Sequence, residues 1–182
     1  MKEGKNIMEN SKMAENNYVC LSGVISEECV FSHEVYGEGF YIFKTEVKRL
    51  SENEDILPVT VSERLIDINS LKRGMTVNVM GQMRSYNHYS SKKNKLILTT
   101  FAKEIEIGED ILANPNEIFL NGFICKTPVY RTTPFGREIT DLLIAVNRSY
   151  GKSDYIPCIA WGRNAKFAGG LEVGNNIEIW GR

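Results

Sequence analysis

The chain repeats itself at a distance of 99 residues, and this repeat constrains its fold more than any other feature. Asn17 to Ile25 (NYVCLSGVI) returns as Asn116 to Ile124 (NEIFLNGFI), and Leu57 to Arg64 (LPVTVSER) returns as Ile156 to Arg163 (IPCIAWGR). The offset then slips by one, so that Leu71 to Gly81 (LKRGMTVNVMG) returns as Leu171 to Gly181 (LEVGNNIEIWG). A near-constant offset over blocks this far apart marks two copies of one small domain; the period is too long for a solenoid repeat. Each copy is a control for the other. A position apolar in both reads as core, and an aromatic residue present in only one reads as wanted for something besides folding.

The 182 residues accommodate two small domains and no large enzyme core. No apolar run approaches a membrane span, and the N-terminus carries no signal-like apolar stretch. The expectation is a cytoplasmic protein with no membrane partner. Cys20, Cys29, Cys125 and Cys158 have neither CxxC nor zinc-ligand spacing and read as reduced thiols. The net charge of −1 divides into +2 from residue 116 onward and −3 before it. Bulk charge therefore neither demands nor excludes a nucleic-acid partner, and local clustering has to decide.

Residues 1–16 are polar with little periodicity and are expected to form a disordered tail. Copy one then reads as strands over Tyr18–Ile25, Phe40–Val47, Leu57–Val61, Met75–Met83 and Leu96–Ile107, with a short helix or helical turn in Glu63–Leu71. Copy two repeats the order with strands over Glu117–Cys125, Glu138–Asn147, Tyr155–Trp161 and Asn175–Trp180, and a helical connection at Asn164–Gly170. The domains are expected at 17–109 and 116–182, with 110–115 (Asn114-Pro115-Asn116 at its end) as the linker.

Five strands with a small helix between the third and fourth match an OB-fold, a five-stranded Greek-key barrel. SH3-like barrels also use five short strands, but Gly23 and Gly122 at the middle of strand one fit the sharp bends of this barrel. The fold class is thus all-β, two tandem OB-folds, the second lacking its last strand. An unclosed barrel leaves strand edges unpaired. The sequence is therefore expected to be a fragment of a longer chain; the rival is a strand supplied by another subunit.

Catalysis finds no support. There is no nucleophile elbow, P-loop, His/Cys metal cluster or Gly-rich dinucleotide turn, so neither an enzyme nor a cofactor or metal is expected. Binding finds support in copy two. In copy one, Leu57, Val59 and Val61 alternate with Pro58, Thr60 and Ser62, which puts the first set in the core. The offset maps that set onto Ile156, Cys158 and Ala160. The opposite face then holds Tyr155, Pro157, Ile159 and Trp161, with Trp161 at the position of Ser62 and Tyr155 at that of Ile56. Tyr150 lies in the preceding loop, where copy one has Ser51. Arg148, Lys152, Arg163 and Lys166 interleave with these rings, and Arg131 and Arg137 lie near the first hairpin. Single-stranded nucleic acid is held by rings that stack on bases, roughly 1–3 kcal/mol each, beside cations that follow the phosphates. The same residue types also fit a packing role, with Trp161 capping the barrel and Tyr155 lying on a neighbour. In copy one, Arg84, Tyr86, His88, Tyr89, Lys92, Lys93 and Lys95 form a basic, tyrosine-bearing segment between strands four and five. It reads as a long hairpin loop, and OB-folds often hold oligonucleotides with that loop.

Asn116 to Ile124, Thr127-Pro128-Val129-Tyr130-Arg131, Ala145-Val146-Asn147-Arg148 and Tyr155 to Arg163 resemble the bacterial single-stranded DNA-binding protein family. So do Ala165 and Ala168 before Leu171, and Val173-Gly174 before Ile177 to Arg182. The resemblance covers nearly all of residues 116–182. It implies an OB-fold protein that coats single-stranded DNA without strict sequence preference in replication, repair or recombination, associated with the nucleoid. By resemblance its ring positions fall on Tyr150, Tyr155 and Trp161. Copy one departs at all three, with Ser51, Ile56 and Ser62, and its Ser51 to Asp55 loop is acidic, so that groove is expected to be weak or inactive for DNA.

The leading expectation is a non-enzymatic binder of single-stranded DNA, with replication or repair proteins as further partners and a homodimer of tandem OB-folds as one assembly. The alternative is an OB-fold protein-interaction or primosome-like accessory module with little DNA binding of its own.

Overall fold

The computed structural model describes residues 16–49, 51, 53–89, 94–108 and 110–182. The expected tail thus lies outside the described residues except for Asn16. The chain divides into two compact units. One comprises Asn17–Phe119 with Trp180–Arg182, the other Leu120–Ile179 together with Asn16.

The first unit contains β1 (Asn17–Val35), β2 (Glu38–Lys48), β3 (Glu54–Ser62), β4 (Thr76–Tyr89) and β5 (Asn94–Gly108). β1 pairs antiparallel with β2 and β4, β2 with β3, and β4 with β5. A short parallel pairing of Val59 with Thr100 and Thr60 with Phe101 joins β3 to β5 and closes the barrel. The period-two alternation of the sequence fills it. Val19, Leu21, Phe43, Val59, Val61, Val77 and Val79 are all buried on the inner face, with Leu71 from the β3–β4 connection beneath them. A Cβ on Gly23 would lie 2.2 Å from the carbonyl oxygen of Glu46, so only glycine lets β1 cross β2 this closely. The segment 110–115 is tied to β1, with Leu112 N donating to Ser22 Oγ at 2.9 Å and Ser22 N to Pro115 O at 2.8 Å.

The repeat continues with β6 (Asn116–Ile124), β7 (Val129–Thr132), β8 (Glu138–Asn147), β9 (Ser153–Trp161), α1 (Arg163–Gly169) and β10 (Asn176–Gly181). β6 pairs with β8 and β10, as β1 pairs with β2 and β4, and β8 pairs with β9, as β2 pairs with β3. Even single hydrogen bonds recur. Ile25 N donates to Met75 O at 2.9 Å and Gly74 N to Ile25 O at 2.8 Å; Ile124 N donates to Asn175 O at 2.9 Å and Gly174 N to Ile124 O at 2.8 Å. Gly122 repeats the close crossing, its Cβ position 2.6 Å from Ala145 O. The two modules are OB-folds.

The Glu63–Leu71 connection, expected as a short helix or helical turn, holds one 3₁₀ turn, Ile68–Ser70, whereas its counterpart is the α-helix α1. The one-residue slip of the repeat falls here. Two other expectations are corrected. The long loop between strands four and five is instead a ribbon: Tyr86 pairs with Ile97, Asn87 with Leu96, His88 with Lys95 and Tyr89 with Asn94. Tyr86 facing Ile97 is a favourable cross-strand pair, and the backbone ladder continues from it into a polar stretch. And β7, unannounced by the alternation, adds a short strand to β8 through Val129–Asp141 and Arg131–Ile139.

Among the described residues nothing pairs with the far edges of β9 and β10 as β5 does with β3 and β4. The inner residues show it. Cys158, Ala160, Leu171, Ile177 and Ile179 are only half-buried where Val59, Val61, Leu71, Val77 and Val79 are sealed.

Candidate nucleic-acid interface

The outer face of β9 is set by its register on β8: Trp161 opposes Ile139, Ile159 opposes Asp141, Pro157 opposes Leu143 and Tyr155 opposes Ala145. Directly opposed residues point to the same side of a sheet. Arg131 and Val129 on β7, opposite Ile139 and Asp141, and Phe123 on β6, opposite Ala145, share this side. Tyr155, Ile159 and Trp161 are 50%, 53% and 52% exposed, while Ile156 on the other side is 3% exposed. Phe123 and Val129 are exposed as well. This side is apolar and aromatic along β9 and at Phe123, with the exposed Arg131–Asp141 pair lying between Ile159 and Val129. Cys158, from the inner side, is buried enough to push its thiol up to about 11.

Tyr150 stands almost fully in solvent on the 3₁₀ turn Ser149–Gly151, held at a φ of 64°. Lys152, Arg137 and Arg163 are exposed; Arg163 opens α1 directly after Gly162, whose φ of 56° turns the chain behind Trp161.

Three of the expected cations already have carboxylate partners. Arg148 holds Asp154 through both guanidinium branches, Nε to Oδ2 at 2.5 Å and Nη2 to Oδ1, and Asp154 is fully buried. Arg148 N also donates to Lys152 O at 2.7 Å, closing the β8–β9 connection. The same clamp occurs 99 residues earlier, where Arg49 holds Asp55 and Arg49 N donates to Asn53 O. Arg131 donates from Nε to Asp141 Oδ2 at 2.7 Å and from Nη2 to Oδ1 at 3.3 Å. That hydrogen bond keeps Asp141 below the usual carboxylate range. Lys166, 3.2 Å from Glu138, joins the Tyr130 hydroxyl on the same carboxylate; the hydroxyl first and then the lysine hold Glu138 low.

In the first unit, Arg84 is half-buried, donates to Gln82 Oε1 at 2.5 Å and lies 6.0 Å from the centre of the Phe101 ring. Tyr86 and Lys95 are exposed. His88 and Tyr89 are placed by backbone register only, and Lys92 and Lys93 lie outside the described residues. Its own outer face is occupied. His33 stacks on Phe40 at 5.0 Å, Phe40 lies 5.8 Å from Phe101, and Ser62, at the position of Trp161, donates its hydroxyl to Glu38. Where the first unit has Glu38, the second has Arg137.

Residues missed by sequence reasoning are Phe123 and Val129, whose place on this face depends on register across three strands. Among the described residues no group of His, Cys, Asp and Glu is gathered that could hold a metal ion, and no helix is long and apolar enough to cross a membrane.

The sequence pattern of the Single-strand binding protein family matches residues 115–182. This C-terminal module belongs to the single-strand binding protein family. The family is one of non-enzymatic proteins, and the resemblance drawn from the sequence holds. In solved structures, the wild-type single-stranded DNA-binding protein of Thermus aquaticus is 20% identical over 91% of this chain and 84% of its own, with a TM-score of 0.74. A deletion mutant of the single-stranded DNA-binding protein from the same organism is 21% identical over 91% and 85%, with a TM-score of 0.69. At this identity both speak for the fold: tandem OB-folds across nearly the whole chain. The N-terminal domain of the PriB protein from Thermoanaerobacter tencongensis, described as dimeric, is 47% identical over 53% of this chain and 100% of its own, with a TM-score of 0.47. No curated protein matches.

Proposed function

We propose that the chain binds single-stranded DNA, covering it in replication, repair or recombination, and that the outer face of β9 carries most of the binding. The observation that carries this reading is that Tyr155, Ile159 and Trp161 stand half-exposed on one side of a single strand within the family-matched module. Rings stack on unpaired bases with little sequence preference, at roughly 1–3 kcal/mol per base, a range drawn from single-stranded nucleic-acid binders as a class. Lys152, Arg163 and Arg137 rim the face and follow the phosphates, with Tyr150 as an exposed outer ring. Arg148 serves the fold of the β8–β9 connection instead, because its partner Asp154 is buried and the clamp recurs in the unit whose outer face is filled. For function we divide the chain into 17–109, a linker at 110–115, and 116–182.

Titration of the full chain with oligo-dT at two salt concentrations tests this. Trp161 emission is expected to quench, and affinity is expected to fall as salt rises, because phosphate contacts release counterions. Trp161→Ala and Tyr155→Ala should each weaken binding about tenfold with melting unchanged. Binding left intact in both variants would refute the stacking face.

A further inference from the structure

Rows of residues that run across the strands can be compared position by position between the units. One row in the second unit is Phe123–Ala145–Tyr155, from β6 over β8 to β9. Its counterpart, each residue 99 positions earlier, is Val24–Glu46–Ile56. Three changes occur together. Both aliphatic flanks become rings, and the long charged centre becomes a methyl group. The flanking strands are two strand spacings apart, about 9.5 Å. A flat group held between two rings needs about 7 Å, twice a van der Waals contact of roughly 3.5 Å. The spacing between the Phe123 and Tyr155 strands is therefore wide enough to admit one planar group above Ala145. Both rings reach solvent, at 43% and 50% exposure. Gly122 supports the arrangement, since its missing Cβ lets β6 lie against the Ala145 carbonyl and sets Phe123 beside the alanine. A row built only for packing would fill the centre; here the centre is the smallest side chain of the three.

We propose that Phe123 and Tyr155 form a slot, floored by Ala145, that takes a single unpaired nucleobase. The slot rests on the reading of this face as a single-stranded DNA site and adds a subsite to it. Trp161 lies six steps along β9 from Tyr155, about 20 Å of strand, so the two rings hold different nucleotides. Stacking on both faces accepts any base.

The test uses oligo-dT titrations of the full chain carrying Phe123→Leu, Ala145→Glu or Trp161→Ala. Phe123→Leu keeps apolar bulk and removes a ring; about tenfold weaker binding is expected. Ala145→Glu installs the residue the first unit already carries in this row as Glu46, so the fold should survive, while a carboxylate in the slot weakens binding at least as much. Unchanged melting temperatures confirm that both variants fold. Oligonucleotides with one abasic residue, moved along the strand, separate stacking from packing. At one position the abasic residue should cost the wild type about tenfold and cost Phe123→Leu nothing more. If Trp161→Ala weakens binding and neither slot variant does, the slot is refuted and the face stands. If none of the three weakens binding, the face itself is refuted. If the abasic and Phe123→Leu losses multiply at every position, Phe123 acts through packing and the slot is refuted.

Discussion

β3 and β9 hold the same place in their units, yet their two sides are covered in opposite ways. On β3 the inner residues Val59 and Val61 are sealed in a closed barrel, and the outer residues Thr60 and Ser62 are buried too. Thr60 shares a hydrogen bond with Thr99 at 2.9 Å, Ser62 donates to Glu38, and His33, Phe40 and Phe101 lie across this side. On β9 the inner Cys158 and Ala160 are half-buried, and the outer Ile159 and Trp161 are half-exposed. The first unit shows that the fold does not require large rings at these outer positions, since serine serves there. What β9 carries is thus surplus to folding, as the proposed stacking face requires.

The comparison is sharpest at the arginine clamp, which the units share in geometry but not in burial. Arg148 is largely covered and its partner Asp154 is fully buried, whereas Arg49 and Asp55 remain accessible. Arg148→Ala leaves a buried carboxylate without its cation, and a loss of about 4 kcal/mol is expected in the unfolding of the second unit. Arg49→Ala breaks a solvent-screened pair and should shift the first unit's unfolding far less. Trp161 fluorescence in a Trp180→Phe background reports the second unit during urea unfolding, because Trp180 belongs to the first unit. Equal shifts in the two variants would mean that the burial difference carries no energetic weight.

Much of this was legible in the sequence, for a definite reason. The repeat supplied two readings of every strand, so Gly23 and Gly122 and the split of β9 into an inner set (Ile156, Cys158, Ala160) and an outer set (Tyr155, Ile159, Trp161) followed from alternation. What stayed hidden depended on partners. Arg148 beside Tyr150 reads as a phosphate ligand until Asp154 is seen; the signal available was the duplicated spacing of Arg49 and Asp55. Phe123 reads as one more apolar residue of strand one, because its neighbours on the face come from β8 and β9 through register. The Tyr86–Lys95 segment reads as loop by its polarity, and cross-strand pairing overrides that.

Core burial supplies the next test. Leu71 is 1% exposed beneath the closed barrel, and Leu171, its counterpart, is half-buried. Leu71→Ala should cost about 3 kcal/mol, the transfer of the lost methyl groups plus the cavity they leave. Leu171→Ala should cost about 1 kcal/mol, because its site is already partly hydrated. Thermal unfolding followed by circular dichroism measures both. A Leu171 variant as unstable as the Leu71 variant would show that the second unit is sealed in solution.

The smallest expected effect concerns a pair found only on the open face. Arg131 and Asp141 replace Ser32 and Ile42 of the first unit. The hydrogen bond from Arg131 depresses the Asp141 carboxyl in the folded protein. A depressed carboxyl contributes stability above its unfolded value, near 3.9, and loses that contribution as pH falls through the lower folded value. With both groups exposed the contribution is slight, so the titration itself is the measurement. Arg131→Ala should return the Asp141 midpoint, followed by carboxyl-carbon NMR, to the ordinary range. Oligo-dT should do the same in the wild type if a phosphate takes the guanidinium, because the carboxylate then loses its donor. A midpoint unmoved by DNA would mean that Arg131 keeps its carboxylate throughout, and the cations of the open face would reduce to Lys152, Arg163 and Arg137.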